Sequence, residues 1–325
     1  MRGRDPGPGG GSGSGGGSGG GSGSGGGLLV VGDVATDVVA RYRSPLARGT
    51  DTTADIRLLP GGAGANAACW AARWGCADVR LLARVGTDAR AWHEASLRDA
   101  GVRARLVVDD EVATATVISL VDASAERTFL TDSGASVLLS AEDWSPSLLD
   151  GVGRLHLSGY LYFSGVGREA AAAALASARE RGIAVSVDPA SVAFVEELGV
   201  ERFLAATEGA ETLLPNADEA RLLTGLADAG KAAAALSRPG RVAVVTLGEA
   251  GAVVAEAGEV TARVPPVATR PVDSTGAGDA FTGGYLAARL AGADPPEAAE
   301  EGCRAGAEAV ALAGGRPARA GREED

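Results

Sequence analysis

The stretch Val272-Asp273-Ser274-Thr275-Gly276-Ala277-Gly278-Asp279-Ala280-Phe281 sets small residues and carboxylates just before an amphipathic run. That run, Phe281 to Leu290, predicts a helix. The first N–H groups of a helix lack intrahelical partners, and the positive end of its dipole gathers there. Gly276, Ala277 and Gly278 would leave those groups uncovered, so the turn suits a phosphoryl group. Asp279 sits one residue beyond. An anion cradle beside a lone carboxylate can hold a transferring phosphoryl group while the carboxylate takes a proton from an attacking hydroxyl. Taken alone, the pattern is equally an ordinary helix start, because Asp is favoured in a first turn by the dipole.

Bulk properties narrow the field. The chain has 325 residues and a net charge of -12. Its acidic residues are scattered, it has no basic cluster, and aromatics make up only 4%. Nucleic acid is therefore not expected as a partner. Cys69, Cys76 and Cys303 show no CxxC spacing and there are two histidines, so spacing alone assembles no His/Cys metal site. No apolar run reaches membrane-spanning length and no secretory segment follows the start, which predicts a soluble cytoplasmic protein with no membrane partner. Residues 1–27 are Gly and Ser with a few charges and a Pro pair, offer nothing to bury, and predict a flexible tail; a second short tail is expected at 318–325.

The elements that must position the cradle follow from apolar periodicity. Short buried strands are predicted at Leu28–Val31, Val79–Val85, Leu155–Leu157, Ile183–Val187 and Val242–Leu247, with Leu213-Leu214 leading into Pro215-Asn216. Helices are predicted at Ala65–Trp74, Trp92–Ala100, Arg168–Arg181 and Ala217–Leu223. Alternation of this kind means βαβ units and a mostly parallel sheet, with the loops at the strand C-termini forming a site. Two β-rich pieces, about 41–59 and 113–131, do not fit the parallel layer. The second alternates with period two around a polar turn, Asp122 to Glu126, and reads as a hairpin with one wet face. Together they predict a small separate sheet, a lid.

Two motifs in order, Gly61-Gly62-Ala63-Gly64-Ala65-Asn66-Ala67-Ala68 and Asp273-Ser274-Thr275-Gly276-Ala277-Gly278-Asp279, stand about 200 residues apart with Asn216-Ala217-Asp218-Glu219 between them. On these residues the chain resembles the PfkB (ribokinase-like) family of carbohydrate kinases over residues 28–317. The resemblance implies a three-layer α/β/α sandwich with a small β-lid over the sugar, ATP and Mg²⁺ as cofactors, and a homodimer paired through the lid. It makes Asp279 the catalytic base, with an ordinary carboxylate pKa sufficing, and Gly276, Ala277 and Gly278 the anion hole.

The same resemblance places Asp37, on the loop after the first strand, against sugar hydroxyls, with Gly62 allowing close backbone approach and Asn66 offering a donor and an acceptor. Asp33 is a competitor for that role or a strand-end turn residue, and Asn66 is alternatively a helix N-cap. Asn216, Thr246 and Gly248 fall on the ATP side, and Glu219 would organise Mg²⁺ through water. Asn216 and Glu219 fit a capping box equally well. Asp273 matches a position that holds a monovalent cation, K⁺, in some relatives. Typical ribokinases carry Lys where this chain has Ala63 and Asn where it has Ala35, so two polar ribose contacts are missing. The implied activity is transfer of the γ-phosphoryl group of ATP to a small sugar or sugar acid. A nucleoside kinase, using Tyr160, Tyr162 or Phe163 as a base platform, and an inactive sugar-sensing relative are the alternatives. His93 and His156 read as packing or surface residues.

Overall fold

The computed structural model describes residues 26–124, 127–238 and 240–317. Thirteen strands and nine α-helices are assigned among the described residues. A nine-stranded sheet forms the centre. Its strands are β1 (Gly27–Val31), β4 (Val79–Gly86), β5 (Val102–Asp109), β8 (Val152–Leu157), β9 (Ala184–Val187), β10 (Thr212–Leu213), β11 (Val242–Thr246), β12 (Ala252–Glu256) and β13 (Glu259–Val264). Their order is β13-β12-β11-β10-β9-β8-β1-β4-β5. β5 through β11 pair parallel, and β12 and β13 close one edge antiparallel. The parallel strands therefore end at one rim, where the site lies.

The central strands are apolar on both faces because both are covered. β1 shows this most plainly: all five of its residues are buried. On one side lie α1 (Ala63–Arg73), α2 (Arg90–Asp99), α8 (Ala277–Leu290) and α9 (Pro295–Ala309). On the other lie α3 (Gly165–Glu180), α4 (Val192–Leu198), α5 (Val200–Ala206), α6 (Ala217–Thr224) and α7 (Ala229–Ser237). The expected three-layer sandwich is what forms.

A second sheet of four strands, ordered β3-β2-β6-β7, stands apart from this core. It comprises β2 (Ala35–Tyr42), β3 (Ala54–Gly61), β6 (Ala115–Val121) and β7 (Arg127–Asp132). The hairpin β6–β7 matches the alternation read from sequence; its expected turn includes residues 125 and 126, which lie outside the described residues. The lid is larger than expected, because it begins at Ala35 rather than Arg41. The tail boundary also shifts: Gly27, expected in the tail, starts β1 and pairs with Val152. The rest of that tail up to residue 25, and the expected tail at 318–325, lie outside the described residues.

One packing contact matters most for the site. A Cβ on Gly283 of α8 would stand 2.6 Å from both the Ala67 carbonyl oxygen and the Trp70 Cβ of α1. A Cβ on Gly284 would stand 2.7 Å from Ala305 Cβ of α9. Gly within a helix costs about 1 kcal/mol relative to Ala. Here the adjacent pair lets α1 and α9 close on α8, which brings the first turn of α8 beside α1.

Candidate active site

α8 begins at Ala277, four residues earlier than its apolar run suggested, so Asp279 belongs to its first turn. Its N-cap is Gly276, in the left-handed region at φ 73°. A Cβ there would also stand 2.5 Å from Gly315 Cα. The need for glycine at 276 is thus set by the chain itself, not only by ligand approach. At Gly278 the reverse holds, since an added Cβ meets nothing within 4 Å. The Ala277 N–H makes one long bond, 3.4 Å, to the Ser274 carbonyl. For the N–H groups of Gly278 and Asp279 no protein acceptor is found among the described residues. Uncommitted amides beside open space fit an anion.

Asp279 is reached by α1. Asn66 Nδ2 donates to Asp279 Oδ2 at 2.8 Å. The amide's orientation is dictated from behind, because Asn66 Oδ1 accepts from Arg316 Nε at 3.4 Å and must be the carbonyl end. Arg316 is itself anchored, donating to the Ser96 hydroxyl at 2.8 Å and the Gly61 carbonyl at 3.0 Å. Asn66 lies within α1 and is not its N-cap, which removes the capping alternative. Asp279 Oδ1 has no protein partner among the described residues and is free to accept a proton.

The pKa of Asp279 is not ordinary. Enclosure by protein pushes its carboxyl up to about 8, the Asn66 donor opposes this, and the charges of Asp188, Asp33 and Asp37 add to it. Asp37 is likewise pushed by burial up to about 6, with the Arg316 charge opposing.

Asp37 is not on a loop. It is the third residue of β2 in the lid, opposite Leu59 and Val117. It shares its strand face with Leu59, Arg41 and Arg127, whose partners lie on the main body. Asp33 takes the structural role: its Oδ2 accepts the Ala63 N–H at 2.8 Å and its Oδ1 the Gly64 N–H at 3.0 Å and the Ser158 hydroxyl at 3.1 Å. It thereby caps α1 from 30 residues away, which is why that helix starts at Ala63 instead of Ala65. Gly62, expected to admit substrate, instead meets the chain: at φ 94° a Cβ would stand 2.7 Å from Val34 Cα.

Asn216 and Glu219, expected on the ATP side, form the full capping box of α6. Glu219 Oε2 accepts the Asn216 N–H at 2.8 Å, and Asn216 Oδ1 accepts the Glu219 N–H at 2.9 Å. Glu219 is buried and its carboxyl is pushed up to about 7, first by burial, with the Asn216 amide opposing and the Asp188 charge adding. Thr246 joins this element: its N–H donates to the Pro215 carbonyl at 3.0 Å, and it bridges Asn216. Gly248 follows, at φ 58°.

Three groups were missed by the sequence reading. Asp188, at the end of β9, accepts from His156 Nε2 at 3.0 Å and adds its charge to both Asp279 and Glu219. His156, expected to be a packing or surface residue, also meets the Ser186 hydroxyl through Nδ1 at 3.0 Å. The strand-end pair Asp188-Pro189 was the available signal. Arg127 is the third. Asp273, expected to hold a monovalent cation, is occupied by hydrogen-bond donors. Its Oδ1 accepts from Arg127 Nη1 at 2.8 Å, from the Thr275 N–H at 3.0 Å and from the Thr275 hydroxyl at 2.7 Å. Oδ2 accepts the Gly314 N–H at 3.3 Å, with Arg41 at 3.8 Å.

Among the described residues no group of three or more His, Cys, Asp or Glu is arranged to hold a metal ion, and no helix is long and apolar enough to cross a membrane.

Known proteins are similar to this chain in sequence and fold. The family model described as pfkB family carbohydrate kinase matches residues 27–319. Mouse ribokinase is 29% identical over 273 residues, covering 80% of this chain and 81% of that protein. Escherichia coli fructokinase is 31% identical over 271 residues, covering 79% and 82%. An E. coli protein described as a candidate ribokinase II, crystallised with ATP and Mg²⁺, superposes with a TM-score of 0.79 at 24% identity, covering 89% of this chain and 94% of that one.

Proposed function

The chain belongs to the pfkB family of carbohydrate kinases, and we propose that it transfers the γ-phosphoryl group of ATP to a hydroxyl of a small sugar or sugar acid. The observation that carries this reading is the pairing of the uncommitted amides of Gly278 and Asp279 with the Asp279 carboxylate at one helix turn. The amides hold the γ-phosphoryl oxygens. The acceptor oxygen bonds to the γ-phosphorus as the bond from that phosphorus to the β,γ-bridging oxygen breaks, and ADP leaves. The hydroxyl proton passes to Asp279 Oδ1. Asn66 keeps Oδ2 engaged, so one oxygen faces the acceptor. Asp37, on the lid face turned to the body, accepts hydrogen bonds from other acceptor hydroxyls.

Mg²⁺ fits the nucleotide side. The Asp188 charge adds to the upward pKa shifts that burial gives Glu219 and Asp279, so negative charge gathers here. Mg²⁺ bound to nucleotide phosphates keeps most of its water, so Glu219 would hold it through water, with Asn216, Thr246 and Gly248 along the nucleotide. Bound there, it would neutralise charge developing on the phosphate oxygens.

A nucleoside acceptor is the second reading. Tyr160 lies near Asp33 and Asp279 and packs edge-on against Phe163 at 5.9 Å. Phe129, which shares a lid face with Arg127, is 53% exposed. Either ring offers a base a flat partner. Tyr162 does not, since it is buried against Phe203. The homodimer is proposed through the opposite lid face. There Leu58, Val38, Ile118 and Leu130 form one cross-strand row, and Ile56, Leu58 and Leu130 are exposed.

ADP release measured over pentoses, hexoses, ketoses, aldonates and nucleosides tests the reading. Release with a sugar or aldonate supports it, release with nucleosides alone moves it to the second reading, and none with any acceptor contradicts it.

A further inference from the structure

Arg127 opens β7 at the edge of the lid, yet its side chain ends on the loop that leads into the cradle. Nη1 donates to Asp273 Oδ1 at 2.8 Å and to the Thr275 hydroxyl at 2.6 Å, and Nη2 donates to the Ser274 hydroxyl. One guanidinium thus binds three consecutive side chains, 146 to 148 residues away in sequence. The next residue is Gly276, the N-cap whose left-handed backbone sets the direction of the Gly278 and Asp279 amides. Asp273 is well placed to pass the contact on. Its side chain is 9% exposed, and it also accepts the Thr275 N–H and the Gly314 N–H. Gly314 adjoins Gly315, the backbone against which Gly276 packs. Arg41 of β2 approaches the same carboxylate at 3.8 Å, so two lid strands converge on it.

We propose that Arg127 is a positioning residue through which the lid sets the geometry of the phosphoryl cradle. A planar guanidinium suits this role because its fixed fork holds a carboxylate and two hydroxyls in set directions, whereas a lysine offers its donors from one rotatable point on a flexible stem. With the fork in place, residues 273–275 are tied at both the lid and the Gly314 side, and the amides after them are held where the phosphoryl oxygens arrive. Without it, the loop loses three bonds and the amides must be ordered during each turnover. The lid then closes over the acceptor with its position already registered at the anion hole.

This inference rests on the kinase reading above, and its test separates the two. Full-length wild type, Arg127→Ala and Arg127→Lys are compared by amide hydrogen–deuterium exchange over residues 274–281 without nucleotide, and by ADP release with the best acceptor. Faster exchange in both variants, with kcat down about tenfold or more and the KM for ATP changed less than about threefold, is expected. Exchange equal to wild type in Arg127→Ala, or kcat within about twofold, overturns the inference. If wild type releases no ADP with any acceptor, the kinase reading fails and the exchange comparison alone decides the latch. Circular dichroism of each variant confirms that the fold is retained.

Discussion

Asn66 and Asp279 are 213 residues apart in sequence and joined by a 2.8 Å hydrogen bond between Nδ2 and Oδ2. The bond links the two glycine-rich motifs directly, and it follows from the close approach of α1 and α8 that Gly283 permits. It also has an electrostatic consequence. A donor to the charged carboxylate lowers a pKa that enclosure raises to about 8.

Asn66→Ala should therefore move the acid limb of the pH–rate profile upward. Asp279 must be deprotonated to accept the hydroxyl proton, so kcat/KM rises as pH passes its pKa. Removing the donor raises that pKa further. We expect the limb to shift to higher pH by about one unit, with activity at pH 7 down about tenfold. A limb that stays in place or moves down would show that the bond does not tune the base.

The same raised pKa predicts a cost in stability. Asp279 binds its proton more tightly in the folded state, where its pKa is pushed up to about 8, than in the unfolded chain, where it lies near the ordinary carboxylate value of 3.8. Between those values the native state holds more protons than the unfolded one, so this group's contribution falls as pH rises through the window. Asp279→Asn removes the titration. Its melting temperature should exceed that of wild type at pH 8, by an amount equivalent to about 1–2 kcal/mol, and the gain should shrink towards pH 4. A difference that does not change with pH would count against the assignment.

Glu219 offers a way to separate cap from metal. Its carboxylate caps Asn216, and a Gln at that position can accept the same N–H. Glu219→Gln should keep or raise the melting temperature, because a buried charge is removed, while the Mg²⁺ concentration needed for half-maximal rate rises about threefold or more. Unchanged Mg²⁺ dependence would leave Glu219 as a cap alone.

The exposed lid row is tested by Leu58→Asp. Sedimentation should show wild type as a dimer and the variant as a monomer with similar melting behaviour, since Leu58 is 62% exposed and packs little within its own chain. A monomeric wild type would dismiss the lid as a pairing surface.

Much of this architecture was legible in the residues, and the reasons are local. Leu28–Val31 and Val242–Val245 are unbroken apolar runs, as expected of strands covered on both faces. β5 carries a weaker signal, because Arg103 and Arg105 alternate with apolar residues at the sheet edge. The Asn216–Glu219 capping box was readable because its partners are three residues apart. What could not be read was action at a distance. Asp33 capping α1, Arg316 orienting Asn66 and Arg127 binding residues 273–275 each join segments far apart in the chain. Local patterns hold no record of such pairs. For the same reason nothing local to Asp37 marks it as part of the lid rather than a loop, and nothing beside Asp279 in sequence reports the burial and distant charges that raise its carboxyl above an ordinary one.

The account turns on Asp279 as the group that receives the hydroxyl proton. The most direct measurement is single-turnover ADP formation by Asp279→Asn with saturating Mg·ATP and the best acceptor, alongside ATP affinity by calorimetry. We expect ATP affinity within about threefold of wild type and a phosphoryl-transfer rate down about a hundredfold or more. A transfer rate within about threefold of wild type would contradict it.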